Sequence, residues 1–335
     1  MLSQNGERVG LGLIGLGWWG GELTNAAEKG GEGRVISAFA RNDTGREEFA
    51  AKHGVPAASS LEAMLDDPDV EGVLIATSHQ SHRALVEQAA AAGKHIFVEK
   101  PLTTTVAEGR ACVEAARQAG VLLQVGHQRR RTAANRRIKE MLDAGELGDV
   151  ETIIAHQSIP NGFKMPETAW RWDPDQSPLG GMTSLGVHKI DTMHYLVGRI
   201  ARVSAFTRAG RADPIDEATV LAIEFHSGAL ATLTTSFYTP VANDIAVFGT
   251  LGAAFNTVGG SKLAIQMRND AAPEPVDLHD IDPVVDELVG FAKAIRGAGP
   301  VEPDGEAGLA VVAVLEAAVE SAKTGRAVEV AHTVL

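Results

Sequence analysis

From Val9 to about residue 126, short β-branched runs alternate with alanine-rich stretches of helical period, an order that few folds accept. Residues 9–14, 35–40, 70–76, 95–98 and 121–125 read as strands, and residues 20–28, 44–53, 61–65, 82–92 and 106–119 as the helices between them. Strands joined through helices run parallel with right-handed crossovers, so this part is predicted to be a doubly wound parallel α/β sheet. Glycines 30, 54, 93 and 120 each follow an alanine- or lysine-rich end and suit left-handed helix stops.

After a basic helical stretch, residues 132–143, the rhythm changes. Residues 150–158, 203–208, 218–225, 229–237 and 245–249 read as strands with little helix between the later ones, and His226-Ser227-Gly228 reads as a hairpin turn. One helix is predicted at 182–197. Two closing helices, 283–298 and 304–324, are expected to return toward the first domain. The reading is therefore two domains: 1–128, the parallel α/β sheet, and 129–335, an α/β domain with an open, mostly antiparallel sheet.

A chain of 335 residues is long enough for two cores. Its net charge of -13 opposes nucleic acid as a general partner. No stretch approaches the ~20 apolar residues that cross a bilayer. Residues 1–8 are polar and no signal-peptide cleavage pattern follows, so a soluble, cytoplasmic protein without membrane partners is expected. The single cysteine, Cys112, lies among alanines and reads as a buried small side chain.

Gly15-Leu16-Gly17-Trp18-Trp19-Gly20 follows the first strand and opens a helix. Three glycines so spaced allow a tight turn, close approach of backbone to pyrophosphate, and close helix–strand packing, while the helix amides face the anion. Trp18 and Trp19 are bulky for this loop, and packing at its mouth is a simpler reading than stacking on nicotinamide. An acid about 20 residues further on would bind the ribose of NAD. Ala40 stands there, followed by Arg41, with Arg46 nearby, which favours the 2′-phosphate of NADP; Asp43 leaves NAD open.

Lys100 follows the strand at 95–98, and Pro101 constrains the turn after it. An ammonium there can hydrogen-bond a substrate oxygen and stabilise alkoxide character during hydride transfer. Further on, Ser184, His188, Asp191 and Tyr195 would share one stripe of a helix, at roughly 100° per residue. An imidazole titrates near neutrality, so His188 can exchange the proton of an alcohol. His188 and His194 are six residues apart, the wrong spacing for metal ligands on one helix, and no metal is expected. Arg129, Arg130, Arg131, Arg136 and Arg137 hint at an acidic substrate group or form a solvated helix face.

Taken together, GLGWWG at 15–20, ATSHQSH at 76–82, AGKHIFVEKPL at 92–102, VGHQRR at 125–130, WRWD at 170–173 and GGMTSLGVHKIDTMHYL at 180–196 resemble the Gfo/Idh/MocA family of oxidoreductases. The resemblance covers nearly the whole chain. It implies a Rossmann domain, a second α/β domain whose open sheet supports homodimers or homotetramers, NAD or NADP as cofactor, and sugars, cyclitols or their derivatives as substrates. By the same likeness Lys100 would touch cofactor and substrate, and His188 would be the acid/base. Thr77, Ser78, His79 and His82 would border the cofactor, Glu99 would lie near the nicotinamide ribose, and Trp170 and Arg171 would reach toward the cofactor. Gln128 and Arg129 would stand at the substrate end, with Ser184 and Asp191 beside His188. Two departures stand out: Ser184 replaces an aspartate common four residues before the histidine, and Ser78-His79 replaces a common Pro-Asn. The functional expectation is hydride transfer between a nicotinamide and a secondary alcohol or ketone; a non-catalytic sensor of nucleotide or sugar on the same fold is the alternative.

Overall fold

The computed structural model describes residues 8–210 and 215–331, so the polar start at 1–7 lies outside the described residues. The strands are β1 (Val9–Ile14), β2 (Gly33–Phe39), β3 (Gly72–Ile75), β4 (His95–Glu99), β5 (Leu123–Gly126), β6 (Val150–Ser158), β7 (Ile200–Arg208), β8 (Ala218–Phe225), β9 (Leu230–Ser236), β10 (Ala242–Gly249), β11 (Gly252–Thr257), β12 (Lys262–Met267), β13 (Glu274–Val276) and β14 (Val328–Glu329). The helices are α1 (Trp18–Gly30), α2 (Asp43–His53), α3 (Leu61–Leu65), α4 (His82–Ala91), α5 (Val106–Ala119), α6 (Ala133–Asp143), α7 (Val187–Val197), α8 (Pro283–Ile295) and α9 (Gly305–Thr324). The chain divides into two compact units, one of Met1–Thr103, Ala107–His127 and Asp282–Leu309, the other of Thr104–Val106, Gln128–Ile281 and Ala310–Leu335.

The first unit holds a five-stranded sheet in the order β2-β1-β3-β4-β5 with every pair parallel. β1 and β3 are buried at every position, as strands covered on both faces must be. Leu11, Leu13, Leu74 and Phe97 are fully enclosed in this core, each contributing on the order of 1.5–3 kcal/mol by leaving water. α8 joins the unit by packing on α1. Pro283 opens that helix and the Asp282 carboxylate accepts from the amides of Val284 and Val285. Gly54, Gly93 and Gly120 have positive φ, but at the end of α1 the left-handed residue is Gly31 (φ 76°) rather than Gly30. Gly30 instead gives α8 room to approach, since a Cβ there would come within 2.7 Å of Val289. Cys112 is fully buried, which pushes its thiol up to about 12.

The second unit carries a nine-stranded sheet, β13-β12-β11-β10-β6-β9-β8-β7-β14. It is antiparallel except for the pair β6 and β9. β11 to β13 were not expected from the sequence; their segments are short and carry few β-branched residues. One face packs on α6, α7 and the buried side of α9 through Ile138, Ile190, Val247, Leu221 and Leu315. The other exposes Ile154, Phe206, Val220 and Leu230. The helix predicted at 182–197 is divided: Met182–Gly186 forms a π-helical turn and α7 begins only at Val187. Gly186 permits that wide turn, since a Cβ would fall 2.1 Å from the sulfur of Met182. Among the described residues no helix is long and apolar enough to cross a membrane.

Candidate active site

In the first unit the strand order reverses between β1 and β3, and a parallel sheet binds ligands outside the carboxyl ends of its strands at such a point. The loop after β1 is shaped by its glycines. Gly15 has φ +101°, its amide donates to the carbonyl of Phe39 at 3.0 Å, and a Cβ would stand 2.5 Å from the carbonyl oxygen of Ala76. A Cβ on Gly20 would meet the Gly15 carbonyl at 2.3 Å. These two glycines are required by the chain itself. Gly17 is different: it caps α1 with no side-chain bond, and a Cβ there would have no atom within 4 Å. The open side of Gly17 and the uncapped amides of the first helical turn fit the pyrophosphate of a dinucleotide.

At the end of β2, Arg46 donates to the carbonyl of Ala40 at 2.6 Å, pairs with Asp43, and lies 5.4 Å from the centre of the Phe39 ring. Arg46 thus braces the turn and draws the Asp43 carboxylate to itself, while Arg41 is exposed. After β3 the Ser81 hydroxyl bonds Thr77 Oγ1 at 2.7 Å and the Ser78 carbonyl at 2.8 Å, fixing the loop that also bears His79. His82, expected to border the cofactor, is fully buried. Its Nδ1 lies 3.0 Å from the Pro101 carbonyl and 3.2 Å from that of Leu102, and its Nε2 lies 3.3 Å from that of Thr77. It therefore ties the loop after β3 to the turn after Lys100, and burial pushes its pKa down.

Glu99 ends β4 almost fully enclosed. Burial pushes its carboxyl up to about 7, against the opposing pull of Lys100, the indole N–H of Trp19 and the amide of Lys100. The Trp19 bond joins residues 80 apart in sequence, so no local pattern announces it. Gly126 leaves room for the carboxylate: a Cβ there would be 2.8 Å from Glu99 Oε1. Trp18 lies 5.3 Å from Trp19, ring centre to ring centre, and is largely exposed; Leu16 and Trp19 pack against the core of the unit.

In the second unit, Gln128–Arg131 forms one 3₁₀ turn before α6. The first arginines are no solvated face: Arg130 and Arg131 are buried and Arg129 is half-buried, whereas Arg137 is outside with Glu140 and Glu146. Arg130 grips both oxygens of the fully buried Asp191, at 3.0 and 2.5 Å, and its guanidinium carbon lies 5.2 Å from the centre of the Tyr195 ring, whose hydroxyl accepts from Arg136 at 2.9 Å. Asp191 is thereby anchored by Arg130. His188 is 6% exposed, one turn N-terminal of Asp191, and its carbonyl accepts from Thr192 at 2.8 Å. The π turn takes Ser184 off the regular helical stripe predicted for it. Arg171 lies 4.3 Å over Trp170 in a short 3₁₀ turn, and Trp172 Nε1 donates to the Pro166 carbonyl at 2.8 Å. Lys189 is 5% exposed; burial and the charge of Arg129 push it down to about 7, against the pull of Asp244. Lys189 was not among the residues expected from sequence, although a lysine beside a candidate histidine on an otherwise apolar helix is a visible signal.

The parallel sheet, its open glycine turn after β1 and the lysine after β4 fit the class of nicotinamide-dependent oxidoreductases. Residues 9–127 match the model of the oxidoreductase family with an NAD-binding Rossmann fold, and residues 135–255 match the GFO/IDH/MocA C-terminal domain. The chain belongs to the Gfo/Idh/MocA family. It is 28% identical over 329 residues to 1,5-anhydro-D-fructose reductase of Ensifer adhaerens, covering 95% of this chain and 98% of the relative. It is likewise 28% identical over 327 residues to D-xylose 1-dehydrogenase (NADP(+)) 2 of Haloferax volcanii, covering 95% and 99%. Among solved structures, a putative NADPH-dependent oxidoreductase from Desulfitobacterium hafniense superposes with a TM-score of 0.92 at 31% identity, over 98% of this chain and 99% of the other.

Proposed function

We propose that the protein catalyses reversible hydride transfer between a nicotinamide cofactor and a secondary alcohol or ketone of a sugar, cyclitol or related compound. The observation that carries this reading is the carboxyl edge of the parallel sheet, where the open glycine turn after β1 and Lys100 after β4 belong to one rigid element. The carbohydrate reading draws on the relatives, a sugar-derivative reductase and a sugar dehydrogenase by name.

The bound cofactor supplies or accepts hydride. Gly15, Leu16, Gly17, Trp18, Trp19 and Gly20 would cradle its pyrophosphate, with Thr77, Ser78 and His79 alongside. Arg41 would face a 2′-phosphate, and the engagement of Asp43 by Arg46 removes the nearest carboxylate from competition, which favours NADP over NAD. Lys100 donates a hydrogen bond to the substrate oxygen and lowers the cost of negative charge on it. His188 takes the hydroxyl proton during oxidation and returns it during reduction. Asp191 acts through Arg130 by fixing the turn that carries Gln128 and Arg129, and His82 holds the backbone on which Lys100 stands. The exposed apolar face of the nine-stranded sheet suits self-association as a homodimer or homotetramer, and the cytoplasm is the proposed location.

The test is absorbance at the reduced-nicotinamide band across a panel of sugars and polyols with each cofactor. Lys100→Met should abolish turnover and retain cofactor affinity; undiminished turnover removes Lys100 from the mechanism. His188→Ala should erase the near-neutral inflection of the pH–rate profile. Cofactor binding without turnover on any substrate would point to a sensor instead.

A further inference from the structure

The face of α7 that packs on the nine-stranded sheet carries Met193 and Leu196, both buried in the core, and one turn earlier it carries Lys189. The sheet changes character at the same level. On β10, β6 and β9 the neighbouring positions Asn243, Gln157 and Thr235 stand side by side, where the preceding inward positions are Ile245, Ala155 and Leu233. A polar row thus replaces apolar core beside the π turn; a Cβ on Gly181 would be 3.4 Å from Thr235 Oγ1. Arg129 reaches the same corner: a Cβ on Gly259 would be 2.9 Å from the Asn243 amide nitrogen and 3.7 Å from Arg129 Nη1.

What distinguishes this cluster is what it lacks. Among the described residues neither Lys189 nor Arg129 has a carboxylate within ion-pair distance, and Arg129 Nε, Gln157 Oε1 and Thr235 Oγ1 are buried without a hydrogen-bond partner. Asp244, the one acid close enough to influence Lys189, accepts the amide of Val258 at 3.2 Å. A buried lysine and a half-buried arginine repelling each other beside unfilled hydrogen-bond positions oppose folding, and a fold keeps such an arrangement where a ligand completes it.

We infer that Lys189 and Arg129, with Asn243, Gln157 and Thr235, form a subsite for a carboxylate on the substrate, so that the preferred substrate is a sugar acid rather than a neutral sugar. This rests on the dehydrogenase reading above. The Arg129 fork offers two parallel N–H donors to the two carboxylate oxygens, and Lys189 adds a point charge. The polar row serves the hydroxyls that flank the carboxylate, with the Asn243 amide as donor, the Gln157 carbonyl as acceptor and the Thr235 hydroxyl as either.

The experiment pairs kinetics with binding on the whole protein. Initial rates with NADP and NAD are compared for D-glucuronate and D-gluconate against D-glucose, myo-inositol and D-glucose 6-phosphate. Thermal unfolding is followed with the same compounds without cofactor. A sugar acid should exceed its neutral counterpart in kcat/KM by roughly ten- to a hundredfold, the range of hydrogen bonds to charged groups. Lys189→Met should remove that preference, chiefly through KM, and remove the rise in Tm given by the acid. Arg129→Lys, which keeps charge but loses the fork, should restore part of the preference in comparison with Arg129→Met. Equal rates on acid and neutral sugars, a preference for the phosphate ester, or a preference that survives in Lys189→Met would overturn the carboxylate subsite while leaving the dehydrogenase reading intact. Absence of turnover on every compound, with a rise in Tm specific to the acid and lost in Lys189→Met, would overturn the dehydrogenase reading and retain the subsite.

Discussion

Arg130 and Arg129 are neighbours in one short turn, yet they meet opposite surroundings. Arg130 lies against a fully buried aspartate that takes two of its N–H groups, with a tyrosine ring nearby. Arg129 lies near a second cation, Lys189, and near the unpartnered Gln157 carbonyl and Thr235 hydroxyl. The same division separates Gly20, which the Gly15 carbonyl requires, from Gly17, which nothing in the chain requires. Groups whose partner is internal hold the fold; groups whose partner is missing mark where a ligand is recognised. The distinction comes from asking of each polar atom and each glycine what satisfies it.

The largest expected effect comes from breaking the satisfied pair. Asp191→Ala removes the carboxylate that takes two N–H groups of the buried Arg130 and should destabilise the protein by about 3–5 kcal/mol in urea unfolding. A loss below about 1 kcal/mol would mean that solvent reaches the pair.

Lys189→Met should act in the opposite direction. Burial lowers Lys189 from its ordinary 10.5 to about 7, so between those values the unfolded chain binds a proton that the folded one does not. Stability should therefore rise with pH across that window, and the slope contributed by Lys189 should vanish in the variant, which should be the more stable at neutral pH. Parallel pH–stability curves for the two proteins would show that the ammonium is solvated.

Glu99 lies between the two extremes, buried yet partly satisfied by Trp19. Trp19→Phe deletes the indole donor and should cost about 1–3 kcal/mol of stability near pH 8, where the carboxylate is charged. The cost should shrink below pH 6, where the carboxyl, raised to about 7, is protonated. Glu99 itself, with its folded pKa above the ordinary 4.5, stabilises the protein fully below that value and loses this contribution as pH rises through 7.

The smallest effect on folding belongs to Gly17→Ala. Its φ of -76° suits any residue and its Cβ meets nothing, so stability should stay within about 0.5 kcal/mol. The dissociation constant for NADP, measured by fluorescence quenching, should nevertheless rise at least about tenfold as the methyl group fills the approach to the pyrophosphate. Unchanged affinity would mean that the anion lies elsewhere.

The parallel sheet was legible because strand and helix alternate with different periods, and the glycine loop and Lys100 because each adjoins a strand end. The five later strands read from sequence were found for the same reason, whereas Gly252–Thr257 and Lys262–Met267 carry too few β-branched residues to stand out. The basic run after Gln128 was ambiguous because charge alone does not reveal burial: the 3₁₀ turn sends Arg130 inward to an aspartate 61 residues away. The π turn at Met182–Gly186 depends on how Gly186 and Met182 fit together, and the Trp19–Glu99 bond joins two motifs that sequence treats separately. Long-range pairing and nonstandard helical geometry were the information missing from local pattern.

The enclosed ring of His82 touches the carbonyls of Thr77, Pro101 and Leu102 at once. Two loops that look independent along the chain are therefore one mechanical piece, and drift in either one is transmitted to the other. The turn after β2 has no share in this linkage; its arginine brace closes on Ala40 and Asp43 within a few residues. Preference between dinucleotides can change there over evolutionary time without disturbing the turn at Lys100, whereas an alteration near Thr77 would have to preserve that turn as well.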